Sequence, residues 1–404
     1  MATCIVLGAQ WGDEGKGKVV DRFAAGAQVV VRFGGGANAG HTIWHGDRKV
    51  VLHQLPSGVL TPGCVNLVGN GCVVDPVLLV EELEALRAVG VEIGPERLGI
   101  SSLAHLVTPL HRWLDGLSGG QIGTTGRGIG PTYADKAERI GVRVGEIFGA
   151  DLEGACGYLL FLHAEELGGG FTEFERSGWR VSFATACQRL APYVRDVRPE
   201  LHTALQRGQN VLYEGAQGAL LDLDLGTYPF VTSSSTALGG ALTGTGVYTP
   251  FDHRIAVVKA YTTRVGNGPF PTELQGALGE DLRVRGHEYG ATTGRPRRCG
   301  WLDLPLLREA ARASGYTGIA LTKLDCLRGL PELRVAIDRD DRGEPVFATL
   351  PGWDEDILGA PSLEALPHAA RVYIDFVCEG LGVPLALLST GPERGQTLLL
   401  EAPW

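Results

Sequence analysis

The feature that most constrains the fold lies at the N-terminus, where an apolar run is followed by a glycine loop and then by an amphipathic segment. The apolar run covers residues 3–7, the loop covers residues 8–18, and Val19, Val20 and Phe23 follow with helical spacing. A strand, a glycine loop and a helix in this order direct successive backbone N–H groups and a helix N-terminus toward one point, where they bind phosphate. The stretch favours an α/β fold with a phosphate site at the end of the first strand.

The loop matches the P-loop pattern only in part. From Gly12 it satisfies G-x-x-x-x-G-K, yet Val19 stands where that pattern has the Ser or Thr that holds magnesium. A tight glycine turn is the alternative, because a chain with 59 glycines can match the pattern by chance. The acidic pair Asp13-Glu14 favours the phosphate site, since a simple anion cradle carries carboxylates only where metal binding or proton transfer requires them.

Composition excludes several classes of function. The 404 residues include 36 basic and 46 acidic side chains, a net charge of −10, which argues against nucleic acid or an anionic membrane as the main partner. No apolar run approaches the roughly 18 residues of a membrane span and no basic signal segment precedes the first strand, so we expect a cytoplasmic protein. The eight cysteines form no C-x-x-C pair, and we expect them to be reduced and buried. No linker or repeat divides the chain, which predicts one domain over residues 1–404.

Further polar loops follow predicted strands, at the edge where open parallel sheets bind ligands. The first covers residues 34–42. In it His41 and His45 have a spacing that metal ligands use, but no third ligand lies at zinc spacing, so we interpret His41 as a polar loop residue near phosphate. Residues 115–139 are predicted to form a long glycine-rich loop that binds a second anion, with a mobile surface lid as the alternative. Residues 150–207 have helical patterns without recognisable chemistry.

Three segments in the second half of the chain also carry candidate binding residues. Residues 227–236 are rich in hydroxyl side chains, which is most often an ordinary turn. Residues 290–298 contain three arginines among glycines and threonines, and they favour bidentate recognition of carboxylate or phosphate over solvated surface charge. Residues 318–325 form a predicted strand that ends in T-K-x-D, where Asp325 can accept from both N1–H and the 2-amino group of guanine. A second strand ends at Ser389, so GTP is favoured over ATP.

Seven motifs occur in the order of a known family: residues 11–18, 34–42, 123–131, 214–218, 226–234, 292–301 and 322–325. From residue 3 to about residue 392 the chain resembles the adenylosuccinate synthetase family. The resemblance implies an α/β fold similar to that of P-loop NTPases, with a mostly parallel central sheet, flanking helices and loop elaborations. It also implies that IMP, L-aspartate and GTP give adenylosuccinate, GDP and phosphate with Mg²⁺, in the committed step of AMP synthesis.

In the implied mechanism, the γ-phosphoryl group of GTP moves to O6 of IMP, and the aspartate amino group then displaces phosphate at C6. Asp13 would take the proton from N1 of the purine and also bind Mg²⁺, for which the Gly40 carbonyl would be a second ligand. His41 would act as the acid and Lys16 would hold GTP phosphates. The resemblance thus implies the catalytic set Asp13, Lys16, His41 and Gln217.

Three ligand sets are carried over from the family. The GTP set is Gly12, Asp13, Glu14, Gly15, Lys16, Gly17, Lys18, Gly40, His41, Thr42, Arg297, Lys323, Leu324, Asp325, Ser389, Thr390 and Gly391. The IMP set is Asp13, Lys16, Asn38, Ala39, Gly40, His41, Thr125, Arg139, Gln217, Thr232 and Arg295. The aspartate set is Ala291, Thr292, Thr293, Gly294, Arg295 and Arg297. In the family the residue that matches Arg139 reaches the partner's IMP, which implies a homodimer.

The chain departs from the common family pattern at Leu225, at Pro296 and in a short segment between residues 150 and 207, none of which removes a catalytic residue. Two other classes of function compete with this reading of the motifs. A GTP-dependent switch would share the phosphate loop and T-K-x-D but would need neither the Asp13 carboxylate nor the arginine cluster. A dinucleotide-dependent oxidoreductase is weakly supported, because G-x-G-x-x-G does not follow Leu7.

Overall fold

The computed structural model describes residues 2–45, 48–118, 124–148, 152–176, 178–290 and 294–404. The strands are β1 (Thr3–Gly8), β2 (Val29–Arg32), β3 (His41–His45), β4 (Arg48–Leu52), β5 (Val65–Val68), β6 (Val73–Val74), β7 (Leu98–Ser101), β8 (His105–Leu106), β9 (Val194–Arg195), β10 (Val211–Glu214), β11 (His253–Lys259), β12 (Thr262–Arg264), β13 (Arg298–Gly300), β14 (Leu302–Asp303), β15 (Gly318–Thr322), β16 (Glu332–Arg339), β17 (Pro345–Pro351), β18 (Leu385–Ser389) and β19 (Thr397–Leu399). The helices are α1 (Lys16–Ala24), α2 (Pro76–Ala88), α3 (Pro109–Ser118), α4 (Ile129–Glu138), α5 (Leu152–Leu162), α6 (Ala164–Leu167), α7 (Phe171–Arg176), α8 (Trp179–Leu190), α9 (Arg198–Gln206), α10 (Leu238–Thr245), α11 (Ala277–Arg285), α12 (Leu304–Ser314) and α13 (His368–Leu381).

Ten strands form one sheet in the order β19-β18-β15-β11-β1-β10-β2-β5-β7-β9. Each neighbouring pair is parallel except β18 and β19 at one edge. β1 lies inside the sheet, with Ile5 opposite Tyr213 of β10 and Arg254 of β11. The predicted α/β fold with a mostly parallel central sheet is therefore confirmed.

Apolar side chains cover the sheet on both faces. Along β1, Cys4 and Val6 pack with Val19 and Phe23 of α1 on one face, because side chains alternate along a strand. Ile5 and Leu7 point the other way, into a core that includes side chains of α9 and α10. A strand buried on both faces holds its C-terminal end in a fixed position, and the phosphate loop starts at that end.

The expected long loop over residues 115–139 is wrong. α3 continues to Ser118, and α4 begins at Ile129 after Gly128, whose φ of 73° is left-handed. The Asp115 carboxylate accepts from the Gly128 N–H at 2.8 Å, and Ile129 is buried, so both ends of the segment are held by packing that the glycine-rich sequence does not reveal. Pro131 lies in the first helical turn, where proline is tolerated.

Other expectations are confirmed or refined. The Asp75 side chain caps α2 as predicted, and β16 and β17 form the hairpin expected over residues 333–350. The strand-like stretches 65–74 and 98–107 are each divided into two short strands, and His41 begins a hairpin strand rather than lying in a loop. All eight cysteines are free; seven are buried and Cys378 is half-buried. Among the described helices, none is both long and apolar enough to span a membrane.

Candidate functional site

The phosphate loop connects the buried end of β1 to α1. Gly12 and Gly15 have left-handed φ angles of 82° and 90°, which glycine adopts without strain, and Asp13 has a φ of 59°. Within the described part of the chain, no side chain caps the N-terminus of α1. No described side chain therefore occupies the first N–H groups of the helix, as a phosphate-binding helix requires.

The two acidic side chains of the loop point in different directions. Glu14 is fully buried beneath the loop, where its carboxylate accepts from the N–H groups of Gln10 at 3.0 Å and Gly12 at 2.9 Å and pairs with Lys16 Nζ at 2.6 Å. A Cβ at Gly218 would lie 2.5 Å from Glu14 Oε1, so only glycine allows the backbone at residue 218 to lie this close to the Glu14 carboxylate. Glu14 thus holds the loop through hydrogen bonds on its buried side. The Asp13 side chain, in contrast, is 38% exposed.

The T-K-x-D segment is attached directly to the phosphate loop. Thr322, at the end of β15, donates its hydroxyl to the Glu14 carbonyl at 2.6 Å. Lys323 has a left-handed φ of 61° and donates to the Gly286 carbonyl at 2.7 Å. Leu324 is buried, and burial raises the pKa of Asp325, an effect that Lys323 and Lys18 oppose. These contacts hold the guanine-type carboxylate at a fixed place relative to the phosphate loop.

Lys18 joins α1 to the second guanine-type segment. Its Nζ donates to Ser389 Oγ at 2.8 Å and to the carbonyls of Gly391 at 2.7 Å and Gln396 at 3.0 Å. Burial lowers the pKa of Lys18 to about 8. All three N–H donors of the ammonium group have partners in this segment, although the sequence led us to expect Lys18 at the GTP phosphates. Thr390, which is buried, lies between Ser389 and Gly391.

His41 is oriented by a buried carboxylate. Its Nδ1 contacts Glu214, at the end of β10, and Glu214 also accepts from the Ser57 N–H at 2.7 Å and the Ser57 hydroxyl at 2.8 Å. Burial acts to raise the pKa of Glu214, but the charges of His41 and Arg32 and the hydrogen bonds hold it below its usual value. A Cβ at Gly17 would lie 3.0 Å from His41 Cβ, so the imidazole lies against the first turn of α1. The backbone of Thr42 follows His41 in β3.

The loop over residues 34–40 is held by Arg32, which is fully buried. Its guanidinium donates to the carbonyls of His53 and of Gly36, the latter at 2.8 Å, and Asn38 Oδ1 accepts from the Gly36 N–H at 3.2 Å. The Ala39 carbonyl contacts His53 Nδ1 at 2.6 Å, and Gly40 follows it. The loop therefore presents Asn38 and the carbonyls near Gly40 from a defined backbone.

Gln217 carries a buried amide without a partner. Neither its Oε1 nor its Nε2 has a hydrogen-bond partner among the described residues, and its φ of 54° is left-handed. A Cβ at Gly35 would lie 3.0 Å from Gln217 Oε1, and one at Gly12 would lie 3.7 Å from Gln217 Cα. Since a buried unpaired amide costs free energy, this group in strained backbone is suited to a ligand between the phosphate loop and the loop over residues 34–40.

The basic segment reaches the phosphate loop through Arg297, whose Nε lies 2.7 Å from Asp13 Oδ2. Arg295 is exposed, and its Nη1 lies 3.5 Å from the Thr124 carbonyl, next to the exposed Thr125. Gly294 is exposed with a φ of 64°. The predicted aspartate residues Ala291, Thr292 and Thr293 lie outside the described residues.

Two predicted IMP residues lie on other segments. Thr232 is half-buried, and its N–H donates to the Leu221 carbonyl at 2.9 Å. Arg139 is exposed at the C-terminus of α4 with a left-handed φ of 69°. A role for Arg139 toward a second copy therefore stays a prediction.

Several residues of the site were not identified from the sequence: Glu214 beside His41, Thr322 beneath Glu14, and Glu288 beside Arg297. Arg297 Nη1 lies 2.8 Å from Glu288 Oε2. His41 and Glu214 lie 173 positions apart and Thr322 and Glu14 lie 308 apart, so local patterns carry no signal for these two pairings. Glu288 and Arg297 lie only nine positions apart, but no motif in that segment indicates that they pair. Glu214 and Thr322 do lie within two of the seven motifs, residues 214–218 and 322–325, but the motifs gave them no role.

Comparisons with known proteins find relatives that match almost the whole chain. The family model described as adenylosuccinate synthetase matches residues 5–398. Adenylosuccinate synthetases of Moorella thermoacetica and Nitratidesulfovibrio vulgaris are 49% and 47% identical to this chain, with 100% and 98% of this chain and 100% of each relative covered. The solved structure of a fully ligated adenylosuccinate synthetase from Plasmodium falciparum is 38% identical, with a TM-score of 0.89 over 99% of this chain and 100% of that chain.

Proposed function

The chain belongs to the adenylosuccinate synthetase family and joins IMP to L-aspartate at the expense of GTP, and we propose that the residues around the phosphate loop carry this reaction. The observation that supports the assignment best is the unpartnered amide of Gln217 beside the loop that bears the exposed Asp13 carboxylate. A purine whose N1 and O6 edge lies between them would meet a base and an amide. A GTP switch would not need the Asp13 carboxylate.

Asp13 is the proposed general base of the first step. Oxygen O6 of IMP attacks the γ-phosphorus of GTP while the N1–H proton passes to the Asp13 carboxylate, and the bond from the γ-phosphorus to GDP breaks. Removing the N1 proton places negative charge on O6 and makes it a nucleophile. The products of this step are 6-phosphoryl-IMP and GDP.

His41 is the proposed acid. Because Nδ1 faces the ionised Glu214, Nε2 is the ring nitrogen that can donate toward the transferred phosphoryl group. A protonated imidazole there offsets the charge that develops on the phosphoryl oxygens. Lys16 and the first N–H groups of α1 hold the GTP phosphates.

The aspartate amino group then attacks C6, the C6–O6 bond breaks to release phosphate, and the departing phosphate carries away the proton that the amino nitrogen loses. Arg295 and Arg297, with residues 291–294, are the proposed contacts of the aspartate carboxylates, because a guanidinium can bind two carboxylate oxygens at once. Asn38, Ala39, Thr125 and Thr232 complete the proposed IMP contacts. Asp325, with Lys323, Leu324 and residues 389–391, holds the guanine base.

Mg²⁺ is the proposed metal, held by the Asp13 carboxylate and the Gly40 carbonyl. Among the described residues there is no group of three or more His, Cys, Asp or Glu side chains that could form a metal cage. One exposed carboxylate and one carbonyl are hard oxygen ligands, and they fit an ion that binds mainly to phosphate oxygens and water. When bound, Mg²⁺ neutralises charge on the transferred phosphoryl group.

The assembly is proposed to be a homodimer in which Arg139 of one subunit reaches the IMP 5′-phosphate of the other. Support comes from the exposed position of Arg139 at the end of α4 and from the family pattern. We further propose that residues 1–404 act as one domain and that the protein works in the cytoplasm.

The test is an omission assay. The protein is mixed with IMP, GTP, Mg²⁺ and L-aspartate, adenylosuccinate is measured by its absorbance, and each component is left out in turn. We expect product only with all four. GTP hydrolysis that needs neither IMP nor aspartate would support the switch instead.

A further inference from the structure

Four alternating charges lead from the phosphate loop into the protein interior. Asp13 Oδ2 lies 2.7 Å from Arg297 Nε, Arg297 Nη1 lies 2.8 Å from Glu288 Oε2, and Glu288 Oε1 lies 2.9 Å from Lys259 Nζ. Exposure falls along this series, from 38% for the Asp13 side chain to 11% for Arg297 and 1% for both Glu288 and Lys259. The series therefore connects a reacting group to a buried anchor.

The Glu288 carboxylate is fully enclosed by donors. Oε1 accepts from Lys259 Nζ and from the Tyr261 hydroxyl at 2.5 Å, and Oε2 accepts from Arg297. Lys259 also donates to Thr263 Oγ1 at 2.7 Å. Burial acts to raise the pKa of Glu288, but the charges of Lys259, Lys323 and Arg297 lower it to about 2, so the carboxylate stays ionised.

Stability alone does not account for this arrangement. Well-packed apolar residues often replace a buried ion pair without loss of stability, because the charges must be removed from water. Here the pair has an outward connection: the third group on Glu288 is Arg297, which faces Asp13. Lys259 lies at the end of β11, a strand that is paired on both sides within the sheet, so Lys259 connects Glu288 to the central sheet.

Glu288 also holds Arg297 through the backbone. The Arg297 N–H donates to the Glu288 carbonyl at 2.9 Å, and the Gly290 N–H donates to the Arg295 carbonyl at 2.8 Å. These bonds close the base of the segment over residues 289–296, which includes proposed aspartate contacts. The side chain and the backbone of Glu288 thus together determine the position of Arg297.

We propose that Glu288 is a positioning residue for the ligation reaction: anchored by Lys259, it holds the Arg297 guanidinium at the phosphate loop, in line with Asp13 and ready for a substrate carboxylate. The inference rests on the proposed roles of Arg297 and Asp13. Arg297 has five N–H donors, of which Nε faces Asp13 and Nη1 serves Glu288, so donors remain for a carboxylate. A guanidinium that is already fixed loses less rotational freedom when the substrate binds.

The test compares E288Q with the double variant E288Q/K259M. E288Q leaves the Lys259 charge buried without its counter-ion, so we expect a lower Tm. K259M removes that charge, and the double variant should regain most of the lost Tm. Its kcat/KM for aspartate should nevertheless stay about 10- to 100-fold below wild type, the usual effect of losing a group that orients a ligand-binding residue. The KM for IMP should change little.

A matched control is E273Q. Glu273 pairs with Arg298, the residue after Arg297, at 2.7 Å between Oε1 and Nε, and both side chains are partly exposed. We expect E273Q to keep kcat/KM for aspartate within about twofold of wild type, since solvent screens a partly exposed pair and Glu273 does not contact Arg297 in this pair. A general effect of losing an ion pair in this segment would appear equally in E273Q.

R297L separates failure of this inference from failure of the proposed function. If Glu288 acts through Arg297, adding E288Q/K259M to R297L lowers kcat/KM for aspartate no further, because both changes remove the same interaction. A double variant E288Q/K259M with both Tm and aspartate kinetics near wild type would overturn the positioning role while R297L remained impaired. Normal aspartate kinetics in R297L would instead overturn the proposed role of Arg297. Failure of both Glu288 variants to fold would show Glu288 to be a structural residue and overturn the inference.

Discussion

The guanine end of the site and its IMP–aspartate end are built in different ways. At the proposed guanine end, the ends of two parallel strands are bonded to the phosphate loop and to α1: Thr322 donates to the Glu14 carbonyl, and Lys18 of α1 donates to Ser389 Oγ and to the Gly391 carbonyl. At the other end, Thr125, Arg139 and Arg295 are exposed and come from three separate segments. The sheet fixes the first set, and loops supply the second.

Between the two ends lie the groups proposed for chemistry, and each is held by a buried partner. Glu214 orients His41, and Glu288 holds Arg297 against Asp13. With the proposed roles, the difference teaches that this fold holds the GTP residues and the reacting groups through the sheet, while the proposed contacts of IMP and aspartate come from loops and, in the proposed dimer, from a second subunit. Substitutions should therefore have different effects at the centre and at the two ends.

The largest effect is expected at the centre, with Asp13→Asn. An amide cannot take the N1 proton, and loss of a positioned base costs about 10² to 10⁴ in kcat. The variant should fold and should still bind GTP and IMP, which titration of each nucleotide checks. Near-normal turnover would show that Asp13 is not the base.

A smaller effect is expected at the IMP end, with Arg139→Leu. Loss of a guanidinium contact to phosphate, by the typical value of about 1.5–3 kcal/mol for a bond to a charged group, should raise the KM for IMP roughly 10- to 100-fold with little change for GTP. The measurement is the KM for each nucleotide. An equal increase for GTP would remove the distinction between the two ends.

Mixing subunits makes the same prediction sharper. In a dimer of one Arg139→Leu chain and one Asp13→Asn chain, one site keeps Asp13 from one subunit and Arg139 from the other. Activity should rise on mixing toward about a quarter of wild type if chains exchange at random and sites act independently, by the twofold symmetry of the interface. No recovery despite demonstrated exchange would count against a shared site.

The smallest effect is expected at the guanine end, with Lys18→Met. Methionine keeps the apolar stem but loses three hydrogen bonds to the segment over residues 389–396. The KM for GTP should rise by only roughly three- to tenfold, although a bond to a charged group contributes about 1.5–3 kcal/mol net, because Lys18 bonds to the segment that holds the base and not to GTP itself. The kcat should stay near wild type. A loss of kcat comparable to that of Asp13→Asn would place Lys18 at the phosphates instead.

The sequence was sufficient to predict several strands of the sheet and the loops that follow them, and the family resemblance implied that the sheet is mostly parallel. Apolar runs before Gly8 and before Lys323 correspond to β1 and β15, because a strand buried on both faces is a continuous apolar segment. The same reasoning failed for α4, where Gly128, Gly130 and Pro131 hid a helix that is held by packing of Ile129 and by Asp115.

The sequence did not predict which distant residues form ion pairs or hydrogen bonds with each other. His41 and Glu214 lie 173 positions apart, and Lys259 and Glu288 lie 29 apart, so only the folded chain brings them together. The family resemblance supplied residue roles but not the groups that hold those residues. Tertiary packing determines which buried side chains become partners. The spacing of residues along the sequence carries no information about that packing.

The central claim is that O6 of IMP becomes a phosphate oxygen in a reaction centred on Asp13. The most direct measurement uses IMP labelled with ¹⁸O at position 6, together with GTP, Mg²⁺ and L-aspartate, and follows the label by mass spectrometry. Phosphoryl transfer to O6 followed by attack at C6 predicts one ¹⁸O atom in inorganic phosphate for each adenylosuccinate formed. Unlabelled phosphate, with the ¹⁸O released into water, would contradict the account.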